Sequence, residues 1–425
     1  MNYNQCLNEM YALRRFGIKL GLETIQYILS ELDNPHEKFE TIHVAGTNGK
    51  GSVCAIIANL LQIQGFRVGI YTSPHLIHFN ERIVINGEPI DNDQVVDLYQ
   101  KVKKVQKQDR ELTFFEYTTA MAFCAFAEQK VEIAVIETGM GGRLDATNVL
   151  MPRLSIITNI GLEHQEYLGK KMKDIASEKA GIIKPCVPVI TDVHNTSAME
   201  IISDIAKQRS APLYQLGSHM RVRMRKTGFS YSGLMFEWTR LTCALNGNHQ
   251  IRNAGLALCA YEYISGNKAN WQTVNQGLTT VKWPGRLEII SQNPLIILDG
   301  AHNITAVKNL FKYLKSVLKD RSLTLIVSVL DDKPYERMLN TLTKLAKTVV
   351  VTRTKIERSL DPEILRDYIK EKVPVVQIIQ NVSDAYFETV RNAEASDIIC
   401  VTGSLYLIGE VKAAINENSN EIFLA

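Results

Sequence analysis

Short apolar runs alternate with longer stretches of helical spacing along most of the chain. Residues 41–46 (TIHVAG) form an apolar run ending in glycine, residues 51–64 space their apolar positions as a helix does, and 67–72 (RVGIYT) is again short and apolar. That order reads as strand, turn, helix, strand. Further strand-like runs stand at 131–137 (VEIAVIE), 154–160 (LSIITNI) and 187–191 (VPVIT), with helical spacing between them, as at 116–129. Continuous apolar strands separated by helices predict an α/β architecture: a mostly parallel sheet flanked by helices on both faces.

The texture changes twice. Between about 214 and 243, polar and apolar positions alternate: Arg221, Arg223 and Arg225 fall on one face of a strand, Val222 and Met224 on the other. This predicts a small β-hairpin insert whose arginine row is a solvated face, although such a row could also meet phosphate or an acidic substrate tail. The basic stretch 101–110 (KVKKVQKQDR) reads likewise as an exposed helix. After Trp283-Pro284-Gly285-Arg286 a second series of apolar strands begins, near 295–299, 323–329, 347–352, 374–378 and 397–401. Residues 1–290 are therefore expected to form one domain with the small insert, and 291–425 a second, smaller Rossmann-like α/β domain, with a cleft between them.

Composition adds exclusions. At 425 residues the chain has length for two to three domains of roughly 150 residues each. Apolar residues make up 45% and charged residues 22%, which excludes a disordered or fibrous chain. A net charge of +3 is too small for a dedicated nucleic-acid binder. The seven cysteines, Cys6, Cys54, Cys124, Cys186, Cys243, Cys259 and Cys400, are scattered without C-x-x-C spacing, as in a reducing compartment. The N-terminus lacks a basic region followed by an apolar run, and no stretch approaches the roughly 20 apolar residues that span a bilayer. A cytoplasmic monomer with small-molecule substrates, and neither membrane nor nucleic-acid partner, is the expectation.

The chemistry begins at Gly46-Thr47-Asn48-Gly49-Lys50-Gly51-Ser52, at the turn from first strand to first helix. Backbone N–H groups and the helix dipole can there cradle anionic oxygens, with glycines allowing close approach. Lys50 can neutralise β- and γ-phosphate charge, and Ser52 can reach phosphate or magnesium. The spacing departs from G-x-x-x-x-G-K-[ST]: two residues separate Gly46 from Gly49, and Gly51 stands between Lys50 and Ser52. Glu137 ends an apolar strand and His164 follows another, so both fall at the sheet's carboxyl edge, where α/β folds bind ligands. They are metal candidates. Taken alone, Glu137 could cap a helix, His164 could be a hydrogen-bonded core histidine, and Lys179 a salt-bridging surface lysine.

The form GTNGKGS after a strand resembles the Mur ligase superfamily, whose members use ATP to join a carboxylate to an amine. Further stretches, TSPHLIHFNERIVING (72–87), ETGMGGRLDATN (137–148), TNIGLEHQEYLG (158–169), SEKAGII (177–183), GNHQIRNA (247–254), WPGR (283–286) and DGAHN (299–303), resemble the folylpolyglutamate synthase and dihydrofolate synthase family. The resemblance covers most of the chain, in order. It implies ATP, two magnesium ions, a folate or dihydropteroate carrying a free carboxylate, and L-glutamate. It implies that Ser73 ligates one ion, with Ser52 a further candidate, and that Glu137 and His164 help to hold a second. It also implies that Lys179 is carbamylated, turning an ammonium into an anionic oxygen ligand. Asn253 is implied to read adenine, Arg286 to reach phosphate, and Asp299 to accept from ribose with His302 nearby; read alone, Asp299 and His302 could instead form a helix-capping pair. Ser73, Pro74 and His75, Thr113, Phe114, Phe115 and Glu116, and Leu144, Asp145 and Ala146 match substrate contacts, while core packing is the equal alternative for the two phenylalanines. With only about 45 residues before the phosphate loop, the uridine-nucleotide domain of the peptidoglycan-precursor ligases is not expected, and a folate-type substrate fits better. The implied reaction is ADP-forming glutamate addition through an acyl phosphate. A small-molecule kinase and a nucleotide-regulated binding module are the alternatives.

Overall fold

A computed structural model describes residues 1–13, 21–107 and 111–423. Residues 14–20, within the N-terminal stretch, and 108–110, within the basic stretch, lie outside the described residues. The chain divides into two compact units, one of Met1–Ala244 with Gln250–Val281, the other of Leu245–His249 with Lys282–Ala425.

The first unit is built on an eight-stranded sheet of β1 (Glu40–Ala45), β2 (Val68–Tyr71), β3 (Ile83–Ile85), β4 (Glu88–Pro89), β5 (Ile133–Glu137), β6 (Leu154–Ile157), β7 (Val189–Thr191) and β8 (Leu213–Gln215), in the order β4-β3-β2-β5-β1-β6-β7-β8. All neighbours pair in parallel except β2 with β3 and β3 with β4. The apolar runs explain the centre: β5 and β6 are buried at every position, and β1 at every position but its first. A strand buried on both faces is mostly apolar, and two polar exceptions here are bonded: His43 Nε2 lies 2.8 Å from the Thr147 hydroxyl and the Ser155 hydroxyl donates to the Ile182 carbonyl at 2.9 Å. Chain order reverses direction at β1, which lies between β5 and β6; the loop leaving β1 therefore opens at a topological switch point.

The insert is a three-stranded antiparallel sheet, β9 (Arg221–Met224), β10 (Phe229–Ser232) and β11 (Glu237–Leu241), rather than the expected hairpin. The chain turns a second time at Gly233, where the Gly233 N–H donates to the Phe236 carbonyl. Arg221, Arg223 and Arg225 are exposed, as a solvated face requires, but Met224 on the opposite face is exposed too. The helix Asn92–Val105 carries Lys101 and Lys103 outward, paired with Glu128 and Glu9.

The second unit holds a six-stranded sheet of β12 (Glu288–Gln292), β13 (Leu295–Asp299), β14 (Leu323–Val327), β15 (Thr348–Val351), β16 (Val375–Ile378) and β17 (Ile398–Thr402), in the order β12-β13-β17-β14-β15-β16. Five strands run parallel, at the predicted positions; β12 is an addition to them and pairs antiparallel with β13. Because β12 begins at Glu288 and belongs to this sheet, the unit begins before the expected boundary at 290 and also takes in Leu245–His249. All seven cysteines are free, and among the described residues no helix is long and apolar enough to cross a membrane.

Candidate active site

The loop after β1 turns into the helix Lys50–Ile63, whose N-cap is Gly49 at φ 85°, a conformation that favours glycine. A glycine has no side chain to cap the helix, so the first-turn N–H groups remain available to an anion. A Cβ at Gly49 would stand 2.6 Å from Asn253 Oδ1. Asn253 is thus seated against the loop from the helix Asn248–Ser265, where its Nδ2 donates to Gln250 Oε1 at 2.9 Å and Gln250 Nε2 donates to the buried Ser52 hydroxyl at 3.3 Å.

Lys50, on the helix's first position, reaches Glu137 at the end of β5: Nζ and Oε1 are 3.7 Å apart, and both side chains are largely buried. The other Glu137 oxygen accepts the Ser73 N–H at 3.3 Å. Lysine, acid and Ser73 thus converge on the carboxyl edge of the sheet.

Lys179 is not a surface residue. It is 1% exposed, on the helix Met172–Ala180, with Nζ donating to the Gly46 carbonyl at 2.9 Å and to Glu163 Oε1 at 2.8 Å. Burial pulls the Lys179 ammonium below its usual range while Glu163 pushes back. Burial likewise opposes ionisation of Glu163, and Lys179 and Lys50 overcome it, holding that carboxyl below the usual range. His164, next along, is exposed, with a left-handed backbone at φ 48°; it is therefore not a core histidine. Among the described residues no three His, Cys, Asp or Glu side chains are assembled as a metal cage.

The matched substrate positions have structural duties of their own. Thr113 and Glu116 form the capping box of the helix Phe114–Glu128, the Thr113 N–H and hydroxyl both donating to Glu116 Oε2. Asp145 is buried, accepts from the Thr147 hydroxyl and from the Met140 and Thr147 N–H groups, and its pKa is raised by burial against those bonds; Leu144 beside it is half-buried and Ala146 buried. Phe114 and Phe115 are half-buried in an aromatic cluster: Phe115 packs 5.9 Å from the Tyr71 ring, and Phe114 lies under the Arg82 guanidinium at 5.2 Å. His75 accepts from Arg82 Nε at 2.8 Å, and the Ser73–Pro74 bond is cis.

In the second unit, Asp299 ends β13. Its two oxygens accept the N–H groups of Leu287, at 2.9 Å, and Ala301, at 3.1 Å, and burial pushes its carboxyl up to about 6 against the pull of Arg286. His302 Nδ1 lies 2.8 Å from the Gly300 carbonyl. The helix Ile304–Leu318 is capped by Asn303, so Asp299 and His302 are not its caps.

Thr158, Asn159, Glu163 and Gln250 touch this site and were not singled out from the sequence. The first three lie inside the TNIGLEH stretch; the partner of Thr158 and Asn159 is more than 100 residues away along the chain, that of Glu163 only 16.

A phosphate loop at a sheet's switch point, with a lysine, an acid and a second buried lysine beside it, defines a site for nucleotide-driven phosphoryl transfer. The comparisons with known proteins agree with that class. Residues 44–261 match the Mur ligase middle domain and residues 285–405 the Mur ligase glutamate ligase domain. A dihydrofolate synthase/folylpolyglutamate synthase of Bacillus subtilis (strain 168) is 34% identical over 427 residues, covering 96% of this chain and 98% of that one. The crystal structure of folylpolyglutamate synthase from Thermotoga maritima superposes with a TM-score of 0.87 at 37% identity, covering 98% of this chain and 97% of that one. A bifunctional folylpolyglutamate synthase/dihydrofolate synthase from Yersinia pestis, complexed with AMPPNP and Mn ion, gives a TM-score of 0.89 at 27% identity, covering 98% of each. The chain belongs to the Mur ligase family, in its branch of folylpolyglutamate and dihydrofolate synthases.

Proposed function

We propose that this chain joins L-glutamate to the free carboxylate of a folate or of dihydropteroate, converting ATP to ADP and phosphate. It is an ATP-dependent carboxylate–amine ligase. The substrate carboxylate attacks the γ-phosphorus of ATP and releases ADP; the glutamate amine attacks the resulting acyl phosphate, and the tetrahedral intermediate collapses to an amide and inorganic phosphate.

The residues divide the work by position. Lys50 and the first-turn N–H groups of its helix meet charge gathering on the transferred phosphoryl group, the largest stabilising effect in such chemistry. Arg286 reaches phosphate, Asn253 the adenine, and Asp299 with His302 the ribose. Ser73-Pro74-His75, Phe114, Phe115, and the Leu144-Asp145-Ala146 turn face the pterin-bearing substrate, with Thr113 and Glu116 fixing the helix that carries the two rings. Glu137, with Ser73, Ser52 and His164, would hold divalent cations, and the hard oxygen donors among them suit magnesium or manganese. Bound there, such ions supply Lewis-acid neutralisation of the two anions that must meet. Carbamylation of Lys179 would add an anionic oxygen: a neutral amine attacks carbon dioxide and loses one proton, and burial favours the neutral amine that this needs.

One observation carries the reading: the Lys50 ammonium and the Glu137 carboxylate meet, mostly buried, at the mouth of an uncapped helix. Substrate labelled with heavy oxygen in its carboxylate, supplied with ATP and glutamate, should deliver label to released phosphate. Unlabelled phosphate, or a stable phosphorylated product without glutamate, would exclude the ligase. Offering dihydropteroate and tetrahydrofolate separately assigns the substrate, and Lys50→Ala should lower kcat by about 10²- to 10³-fold.

A further inference from the structure

We infer that Asn159 is a positioning residue for the phosphate loop, its side-chain amide fixing the shape in which the loop meets the nucleotide. This rests on the reading above, in which the loop holds the phosphates of ATP. Asn159 lies two residues beyond the end of β6. Its Oδ1 accepts the Asn48 N–H at 3.0 Å, and its Nδ2 donates to the Asn48 carbonyl at 2.7 Å. One planar amide therefore satisfies both polar groups of one loop residue, as a neighbouring strand would. The Asn159 backbone carbonyl accepts the Thr47 N–H at 2.9 Å. Thr158 Oγ1 adds a second donor to the Asn48 carbonyl at 2.7 Å, and the Thr47 hydroxyl is bonded to Gly161.

Two consequences follow from this geometry. The N–H groups of Thr47 and Asn48 are turned toward the segment after β6, so phosphate oxygens meet the amides that come next, at Gly49 to Ser52, where the helix begins. All of these bonds lie within the chain, so the loop's shape does not depend on ligand contacts, which spares the nucleotide the cost of ordering it. Asn159 touches no reacting atom; it acts through the loop.

The test compares the full-length enzyme with Asn159→Ala, which removes both bonds, and Asn159→Asp, which keeps the acceptor but sets an oxygen against the Asn48 carbonyl. The KM for ATP should rise about ten- to hundredfold in both, the range expected for losing one to two buried hydrogen bonds. The KM for the folate substrate should move by less than about twofold, and kcat should fall less than the KM for ATP rises. Amide exchange at Asn48 should accelerate in the alanine variant while exchange along β5 stays unchanged. Should either variant fail to fold, Thr158→Val removes the second donor to the same carbonyl and should raise the KM for ATP by a smaller factor. Equal rises in both KM values, or an unchanged KM for ATP in a folded Asn159→Ala protein, would overturn the inference. A wild-type chain without affinity for ATP would instead overturn the reading on which it rests.

Discussion

The two units end an interior strand with an acid, Glu137 on β5 and Asp299 on β13, and keep charge there by different means. Charge in the first unit is balanced mainly by other charges: Lys50 faces Glu137, and Lys179 is bonded to Glu163 and to the Gly46 carbonyl, 133 residues away along the chain. In the second, Asp299 is held by N–H groups only 12 and 2 residues away, with Arg286 nearby. A parallel sheet places an acid at its carboxyl edge in either case. What differs is the range of the contacts that solvate it, and a charge balanced over long range depends on the whole unit being folded.

The largest effect should come from breaking the arrangement in which charge balances charge. In carbon-dioxide-free buffer, where Lys179 is the unmodified amine, Glu163→Gln leaves it buried without its ion partner, and unfolding free energy at neutral pH should drop by about 3–5 kcal/mol, seen as a lower urea midpoint. Combining it with Lys179→Met should recover much of that loss, because a neutral pair of similar volume costs less than a lone buried charge. If the double variant is no more stable than the single one, the ion pair does not govern the site's stability.

The local arrangement should show itself through pH. Asp299 binds its proton more tightly when folded, so its contribution is fully present below the unfolded value of 3.8 and is lost as pH rises through about 6. The gap between those two values corresponds to a loss of roughly 3 kcal/mol, read as falling protection of β13 amides across that pH range. Asp299→Asn should flatten that slope. The smallest effect sharpens the same point: Arg286→Met removes the charge that favours the ionised form, and the Asp299 titration followed by NMR should move to a higher pH by about 1. A titration that does not move would leave the two backbone donors as the whole of its local support.

Much of this was legible in the chain. The parallel strands of the second unit and the core strands of the first follow from apolar runs, because a strand covered on both faces admits few polar side chains, and β16, half exposed, still carries three apolar residues in four. The phosphate loop was legible because glycines and a lysine at a strand–helix turn have few other uses. β12 was not, since it mixes Glu288, Ser291 and Gln292 with two isoleucines and gives neither clean alternation nor an apolar run. The Thr113-x-x-Glu116 spacing is itself a helix-start signature, and in the structure the two residues cap a helix as that signature requires.

The order of amino acids alone was enough for the succession of strands and helices, the loop and its lysine, and the strand ends where Glu137 and Asp299 stand. It took the folded arrangement to settle that Asn159 would clasp Asn48 from 111 residues away, that Glu163 and not solvent would face Lys179, and that Asn253 would press on Gly49. Local propensity acts over a few residues and writes a visible period. Partners across a sheet are chosen by strand order, which only the packed core enforces.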